Sequence, residues 1–258
     1  MTPEGCDLHE RALKLLQDAD EIEQAAASAR AEPAGNLKVT VPVPLAIHVI
    51  APNLPLFRQR YPKLNVDLRV SDTFSDLIQE GIDVAIRIGA QEDSRFISRK
   101  LAPNRVCAFA SPSYLKKRGV PQHIADIEGH DCVGVRLHSS GQFLRWPFRL
   151  GKRIVELLPT TGIVVDNTDA VAAAIAGGGG IGLSPSFVAA SYVARGELTP
   201  ILTEHWVNRH HITALWSESR RGNPNVKAFI AFLMDIFANP TPWDKLIDRY
   251  VEKTQNND

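Results

Sequence analysis

Residues 7–29 contain neither Gly nor Pro, and Leu8, Ala12, Leu15, Ala19, Ile22 and Ala26 recur at alternating steps of four and three. That spacing is the a/d seam of a heptad repeat, one narrow apolar stripe along a helix. The charged residues Glu10, Arg11, Lys14, Asp18, Asp20, Glu21 and Glu23 fall off the seam. A stripe this narrow buries little by itself, so the helix needs a partner, either its own domain or a second copy of the chain. The seam reads as a dimerisation surface, and its three alanines make it a modest zipper that other contacts must support.

The pattern changes after Glu32-Pro33-Ala34-Gly35-Asn36, which reads as a linker. From there, short apolar or alternating runs exchange with helical segments. LKVTVP (37–42), LNVDLRV (64–70) and DVAIRI (83–88) read as strands, and 44–60 and 74–79 as helices. The rhythm restarts near Val106. VCAFA (106–110), DCVGVRL (131–137), FLRWPFRL (143–150), KRIVELLP (152–159), GIVV (162–165), IGL (181–183) and HITALW (211–216) read as strands. Segments 112–118, 168–176, 186–194 and 226–238 read as helices. Such alternation predicts an α/β fold with a largely parallel sheet in two lobes of similar size. Residues 241–258 are polar and are expected to form a loosely held tail.

Four consecutive glycines, Gly177 to Gly180, stand out in the second lobe. A phosphate-cradling loop places its glycines before a helix, so that free N–H groups face the anion. Here the helix precedes the glycines and a strand follows them, so nucleotide binding is disfavoured. The run instead predicts a helix stop, with glycine in the left-handed conformation, and a sharp turn into a buried strand. The other end of that helix carries Asp166, Asn167, Thr168 and Asp169, of which Asn167 or Thr168 can cap it. Helix starts here, near Pro44 and near Ser184 present free N–H groups to the polar end of a small ligand.

Composition narrows the function without naming it. Lysine plus arginine and aspartate plus glutamate number 29 each, so no basic footprint for nucleic acid is evident. Three scattered cysteines, Cys6, Cys107 and Cys132, form no disulfide framework and fit a reducing, cytoplasmic setting. The N-terminus has no apolar core of a secretory signal, and the apolar stretch 162–190 is broken by Asp166, Asp169 and the glycines. No GxSxG, HExxH, Walker A or CxxC pattern occurs, and Gly182-Leu183-Ser184-Pro185-Ser186 stops short of a nucleophile elbow. An enzyme is therefore not expected, nor any cofactor. His210 and His211 would point to opposite faces of a strand, which disfavours a metal site with His205.

An ordered set of motifs carries a family resemblance. The stretches GNLKVTVP, LPLFRQRYPKLNVDLRVSD and DLIQEGIDVAIRIG resemble the first lobe of the effector-binding region of LysR-type transcriptional regulators, with Phe57, Tyr61-Pro62, Gly81, Asp83, Arg87 and Gly89 in place. CAFASPSYLKKRGVPQHIADIEGHDCV and VDNTDAVAAAIAGGGGIGLSPSFVA resemble the second lobe. The likeness covers about residues 36–238 and is nearest to the branch of CrgA-like regulators. Thr2-Pro3-Glu4-Gly5 resembles the end of the family's winged helix-turn-helix, and the heptad helix resembles its linker helix. By that resemblance the DNA-reading element lies outside this chain.

The resemblance implies a periplasmic-binding-protein-type fold: two Rossmann-like lobes joined by two crossover strands, after an N-terminal linker helix. It implies 1–35 as linker helix, lobe I at about 36–105 and 202–238, and lobe II at about 106–201. It also implies a homodimer or homotetramer, promoter DNA met through the missing N-terminal domain, no membrane partner, and a small-molecule effector in the interlobe cleft. The implied effector wall comprises Pro42, Val43, Pro44, Leu45, Arg87 and Gly89 of lobe I, with Val135, Arg136, Asp166 and Ser184 of lobe II. Many family members place hydroxyls where this chain has Pro42 and Pro44, so an anion would lose donors here and a more apolar ligand, or no ligand, is favoured. Arg87 is read either as an effector contact or as a structural partner of Asp83. The alternative function is a solute-binding protein of the same two-lobe shape, which leaves the heptad helix unexplained.

Overall fold

In this computed structural model residues 32–72, 80–89, 96–137 and 140–255 are described. The seam residues Leu8 to Ala26 and the helix expected over 74–79 lie outside the described residues. Two long antiparallel strands carry the architecture: β4 (Phe96–Ala110) and β11 (Val207–Ser217). On one side, β11 pairs with β3 (Val84–Ile88), which pairs with β1 (Gly35–Val41) and then β2 (Leu64–Val70). On the other, the far half of β4 pairs with β9 (Ile181–Pro185), followed by β5 (Cys132–Val135) and β8 (Ile163–Val165). β10 (Thr199–Ile201) also lies along β4, and β6 (Trp146–Leu150) with β7 (Arg153–Leu157) forms a separate hairpin.

The sheet is mixed, which corrects the expectation of a largely parallel one. The outer pairs β1–β2, β1–β3, β5–β8 and β5–β9 are parallel, while every pairing of the two crossover strands is antiparallel. The crossover is also longer than VCAFA suggested, because Pro103 lies inside β4. Proline cannot donate to a central ladder, so it argues against a strand from sequence. The structure accommodates it at a bulge, where the β11 register shifts between Asn208 and His211.

The first lobe packs β1 and β3 under two helices. The first, α1, runs through Val43–Leu45, a π-helical stretch Ala46–Ile50 and Ala51–Arg60. Leu37, Val39, Val41, Leu45, Ile50 and Phe57 are fully buried there. Phe57 meets Phe229 and Phe232 of α5 (Pro224–Ile236) at ring centroid distances of 5.3 and 5.0 Å. In the second lobe the hairpin buries Trp146 and Phe148 against β4 and β9. On the opposite face α3 (Thr168–Ala176) and α4 (Ser186–Ala194) bury Val171, Ile175, Ala189 and Val193 against Cys107, Phe109 and Val133. α2 (Pro112–Arg118) starts at Ser111, whose hydroxyl accepts from Tyr114 N–H at 3.2 Å.

The segment after Pro240 is not a loose tail: Pro242–Gln255 form a helix, α6. Trp243, Leu246, Ile247, Tyr250 and Val251 pack against the second core, and Ile247 is fully buried. Trp243 lies edge-on to Phe187 at 6.3 Å and to Phe237 at 5.5 Å, so α6 straps α4 to the end of α5. Spacing of three and one along these apolar residues is one helical face, and the polar composition obscured it.

The glycine run behaves as a helix stop, shifted by one residue from Gly177, which stays right-handed. Gly178 has φ +90°, its N–H donates to Ile175 O, and Gly179 N–H donates to Ala174 O. Those two bonds make the Schellman arrangement that satisfies the last carbonyls of α3. Gly180 has φ +123°, and a Cβ there would lie 2.1 Å from the carbonyl oxygen of Asp131. Gly180→Ala is expected to destabilise the domain by at least about 2 kcal/mol in denaturant melts, since strain and a backbone clash add. Ile247→Ala is expected to lower stability by about 2–5 kcal/mol, whereas removing a loose tail would leave the unfolding midpoint unchanged.

Candidate functional site

The carboxyl ends of β1, β2 and β3 converge on the first helix start. Pro42 caps α1 without a side-chain bond, and Pro44 in its first turn has no N–H to offer. The free Val43 N–H is taken by Asp72 Oδ1 at 3.0 Å, from the turn after β2. A carboxylate thus already sits at the positive end of this helix, where an anionic ligand would meet repulsion. Arg87, 4 % exposed, donates to Ile86 O at 2.9 Å and to Thr40 Oγ1 at 3.2 Å. Burial pushes its guanidinium below the ordinary value, while the Asp72 and Glu80 carboxylates act the other way.

Arg87 does not pair with Asp83, which corrects the structural pairing considered from sequence. Asp83 accepts from Lys38 N–H at 2.8 Å and lies 3.2 Å from Arg220 Nε. Four residues along an extended strand put Arg87 roughly 13 Å away from Asp83, at the cleft end of β3 instead. Burial raises the Asp83 carboxyl above its ordinary range, opposed by the Lys38 amide and the Arg220 charge.

The lobe II residues gather in the same way at the carboxyl ends of β5, β8 and β9. Val135 pairs in register with Val165, Arg136 N–H donates to Val165 O at 2.8 Å, and Asp166 follows directly. Arg136 is exposed and lies over the Phe143 ring at 4.9 Å. Asn167 then caps α3, its Oδ1 accepting from Asp169 and Ala170 N–H at 2.8 and 3.2 Å. Ser184 is fully buried beside Cys107, and its hydroxyl donates to Pro185 O at 3.3 Å. Pro44 and Leu45 are buried as well, whereas Pro42, Val43, Gly89 and Val135 are partly open.

A polar contact joins the lobes here. His48 Nε2, in the π-helical stretch of α1, lies 2.5 Å from Asp169 Oδ1 in the first turn of α3, with side chains 14 and 26 % exposed. The other carboxylate oxygen, Asp169 Oδ2, is buried and takes no hydrogen bond. Beside this pair, Ala172, Phe187 and Val188 of lobe II enter the core of lobe I. The Ser186 hydroxyl, at the first turn of α4, is likewise buried without a hydrogen-bond partner. π-helical insertions concentrate at functional sites, and here one aims a histidine across the gap.

Sequence reasoning missed His48, Asp72, Asp169 and His210. His210 adopts φ +66° at the β11 bulge, and its ring lies so close to Gly89 that a Cβ there would come within 3.1 Å of it. The bulge also breaks the alternation assumed for His210 and His211. Among the described residues no group of three His, Cys, Asp or Glu could hold a metal ion. Nor is any described helix long and apolar enough to cross a membrane. Burial raises the Cys107 thiol, and it pushes the Cys132 thiol up to about 11.

Known proteins share this arrangement. The family described as LysR substrate binding domain matches residues 30–238. An HTH-type transcriptional regulator of Xanthomonas campestris pv. campestris is 30% identical over 238 residues, covering 91% of this chain and 69% of the relative. The CrgA regulatory domain of Neisseria meningitidis, a LysR-type transcriptional regulator, superposes with a TM-score of 0.71 at 27% identity, over 80% of this chain and 100% of that one. The AphB regulatory domain of Vibrio vulnificus, treated with cumene hydroperoxide, matches with a TM-score of 0.65 at 26% identity, over 78% and 98% of the two chains. The two-lobe α/β fold is thus shared with LysR-type regulatory domains, and the chain belongs to the LysR-type transcriptional regulators, whose substrate-binding domain it carries.

Proposed function

We propose that this domain senses a small, uncharged or weakly polar metabolite in the cleft between its lobes. The observation that carries the reading is the opposition of the α1 start to the α3 and α4 starts, bridged by His48 and Asp169. Ligands of open α/β sheets bind at the carboxyl ends of strands, and Val43, Arg87, Gly89, Val135, Arg136 and Asp166 occupy such positions. The Asp72 carboxylate on Val43 N–H and the two prolines oppose an anion at α1, which selects against strongly acidic effectors. Pro44, Leu45 and Ser184, all buried, form the backing of the wall rather than its face.

In this reading the effector changes the balance between lobe arrangements, and an oligomer of the chain in the cytoplasm transmits that change to promoter DNA through the family's helix-turn-helix. A coupling of about 1–3 kcal/mol is typical of such devices. The seam Leu8, Ala12, Leu15, Ala19, Ile22 and Ala26 supplies the subunit contact. Regulation by oxidation of Cys107 or Cys132 is disfavoured, because both are buried and their thiolates destabilised.

A thermal-shift screen of metabolites against the chain is expected to return stabilising compounds whose effect disappears in Val43→Trp. Hits that ignore that substitution would place the effector elsewhere. His48→Ala is expected to increase the radius of gyration in small-angle scattering. In a double-mutant cycle with Asp169→Asn, a coupling of about 1–3 kcal/mol is expected. Strict additivity would remove the latch. Iodoacetamide at pH 8 is expected to leave Cys107 and Cys132 unlabelled in the native protein and to label both in denaturant, as read by peptide mass spectrometry.

A further inference from the structure

A cavity lies away from the cleft, beside the bulge where β4 and β11 slip register at Pro103 and Asn208. Its volume is about 350 Å³, within the range of small-ligand pockets, which starts at about 300 Å³. Four elements meet around it: β4 with Arg105, the β6–β7 hairpin with Arg149, β11 with Asn208, and α6 with Asp244 and Asp248. Two cations and two anions therefore line one small space.

Those charges are unevenly matched. Arg105 donates to Asp248 Oδ1 at 2.7 Å and lies over the Trp206 ring at 4.8 Å, which closes that ring face to a ligand. Asp244 Oδ2 accepts from Thr241 Oγ1 at 2.7 Å, but Oδ1 is buried, stands 3.7 Å from Arg105 Nη1 and accepts no hydrogen bond. An unsatisfied buried acceptor is costly and marks a place where a donor belongs. Arg149, also on the lining, is exposed, and among the described residues its guanidinium makes no hydrogen bond or ion pair. Asn208, in the same lining, is exposed and makes no side-chain hydrogen bond among the described residues.

We propose that this hinge cavity binds a small zwitterion of the α-amino acid class. Its carboxylate sits on Arg149 and Asn208, and its ammonium donates to Asp244 and Asp248. Arg105 offsets only one of the two aspartates, so a lone anion would leave the other unmatched and a lone cation would leave Arg149 unmatched; a ligand with separated charges answers both. Arg105 and Asn208 are the last register pair before the bulge that interrupts β4 and β11. A ligand bridging Asn208 to α6 therefore ties the strap to the hinge and alters how the lobes move, independently of the cleft.

Calorimetric titration of the full chain tests this with L-serine as probe and acetate and methylammonium as single-charge controls. L-Serine is expected to bind, the controls to bind at least tenfold more weakly, and Arg149→Gln, at an exposed site, to weaken L-serine at least tenfold. Asp248→Asn should weaken it as well, with Val43→Trp, in the cleft, without effect. Absence of L-serine binding, equal binding of either control, or affinity unchanged by Arg149→Gln would each overturn the proposal.

Discussion

The antiparallel pairing of β4 with β11 is the constraint on which the remaining structure depends. Backbone donors and acceptors in a buried sheet must be paired, so a strand that serves both lobes ties their orientations together. Fifteen residues of β4 run from one core to the other, and Pro103 removes one donor where they pass between. The ladder yields on both sides of it: the register slips between Asn208 and His211, where His210 turns left-handed, and again between Ile212 and Thr213. A hinge is thus written into the sheet as a local failure of hydrogen bonding rather than as a flexible loop.

What surrounds the hinge follows from that failure. On one side His210 lies over Gly89 at the end of β3, linking hinge geometry to the cleft wall. On the other, Arg105 leaves the ladder toward Trp206 and the carboxylates of α6. The C-terminal helix then holds both lobes through Trp243, which touches Phe187 of one and Phe237 of the other. The lobes therefore meet through the crossover strand pair, the α6 strap, the apolar contact of Ala172, Phe187 and Val188 with the first core, and polar pairs such as His48–Asp169 and Arg209–Glu156.

Polar groups without partners concentrate in these joints. Asp169 Oδ2 and Ser186 Oγ lie by the cleft, and Asp244 Oδ1 and Asn104 Oδ1 lie by the hinge. A rigid core rarely tolerates such groups, because each costs free energy when desolvated. Their placement where the lobes meet fits the proposed effector sensing, in which a ligand would supply the missing bonds.

Local rules settled much of this molecule. Thr168–Ala176 and Ser186–Ala194 matched their predicted bounds, because Asn167, Pro185 and the glycines mark helix ends within a few residues. The strand Leu64–Val70 was equally legible from alternation, and the ordered motifs identified the family. Long-range partners were not legible. Pro103 hid half of β4, since only a facing bulge explains a proline there, and α6 was hidden because its apolar residues gain meaning from the groove they fill. Asp72 at Val43, Arg220 at Asp83 and Asp169 at His48 are pairings of distant residues, set by strand order and helix placement. The chain by itself therefore determined those helices and strands whose ends carry local signals, such as Leu64–Val70, Thr168–Ala176 and Ser186–Ala194, and the family, since caps, turns and periodicity act within a few residues. Only the folded sheet decided which charges meet across the lobes, because that depends on register and crossover geometry that no local pattern encodes.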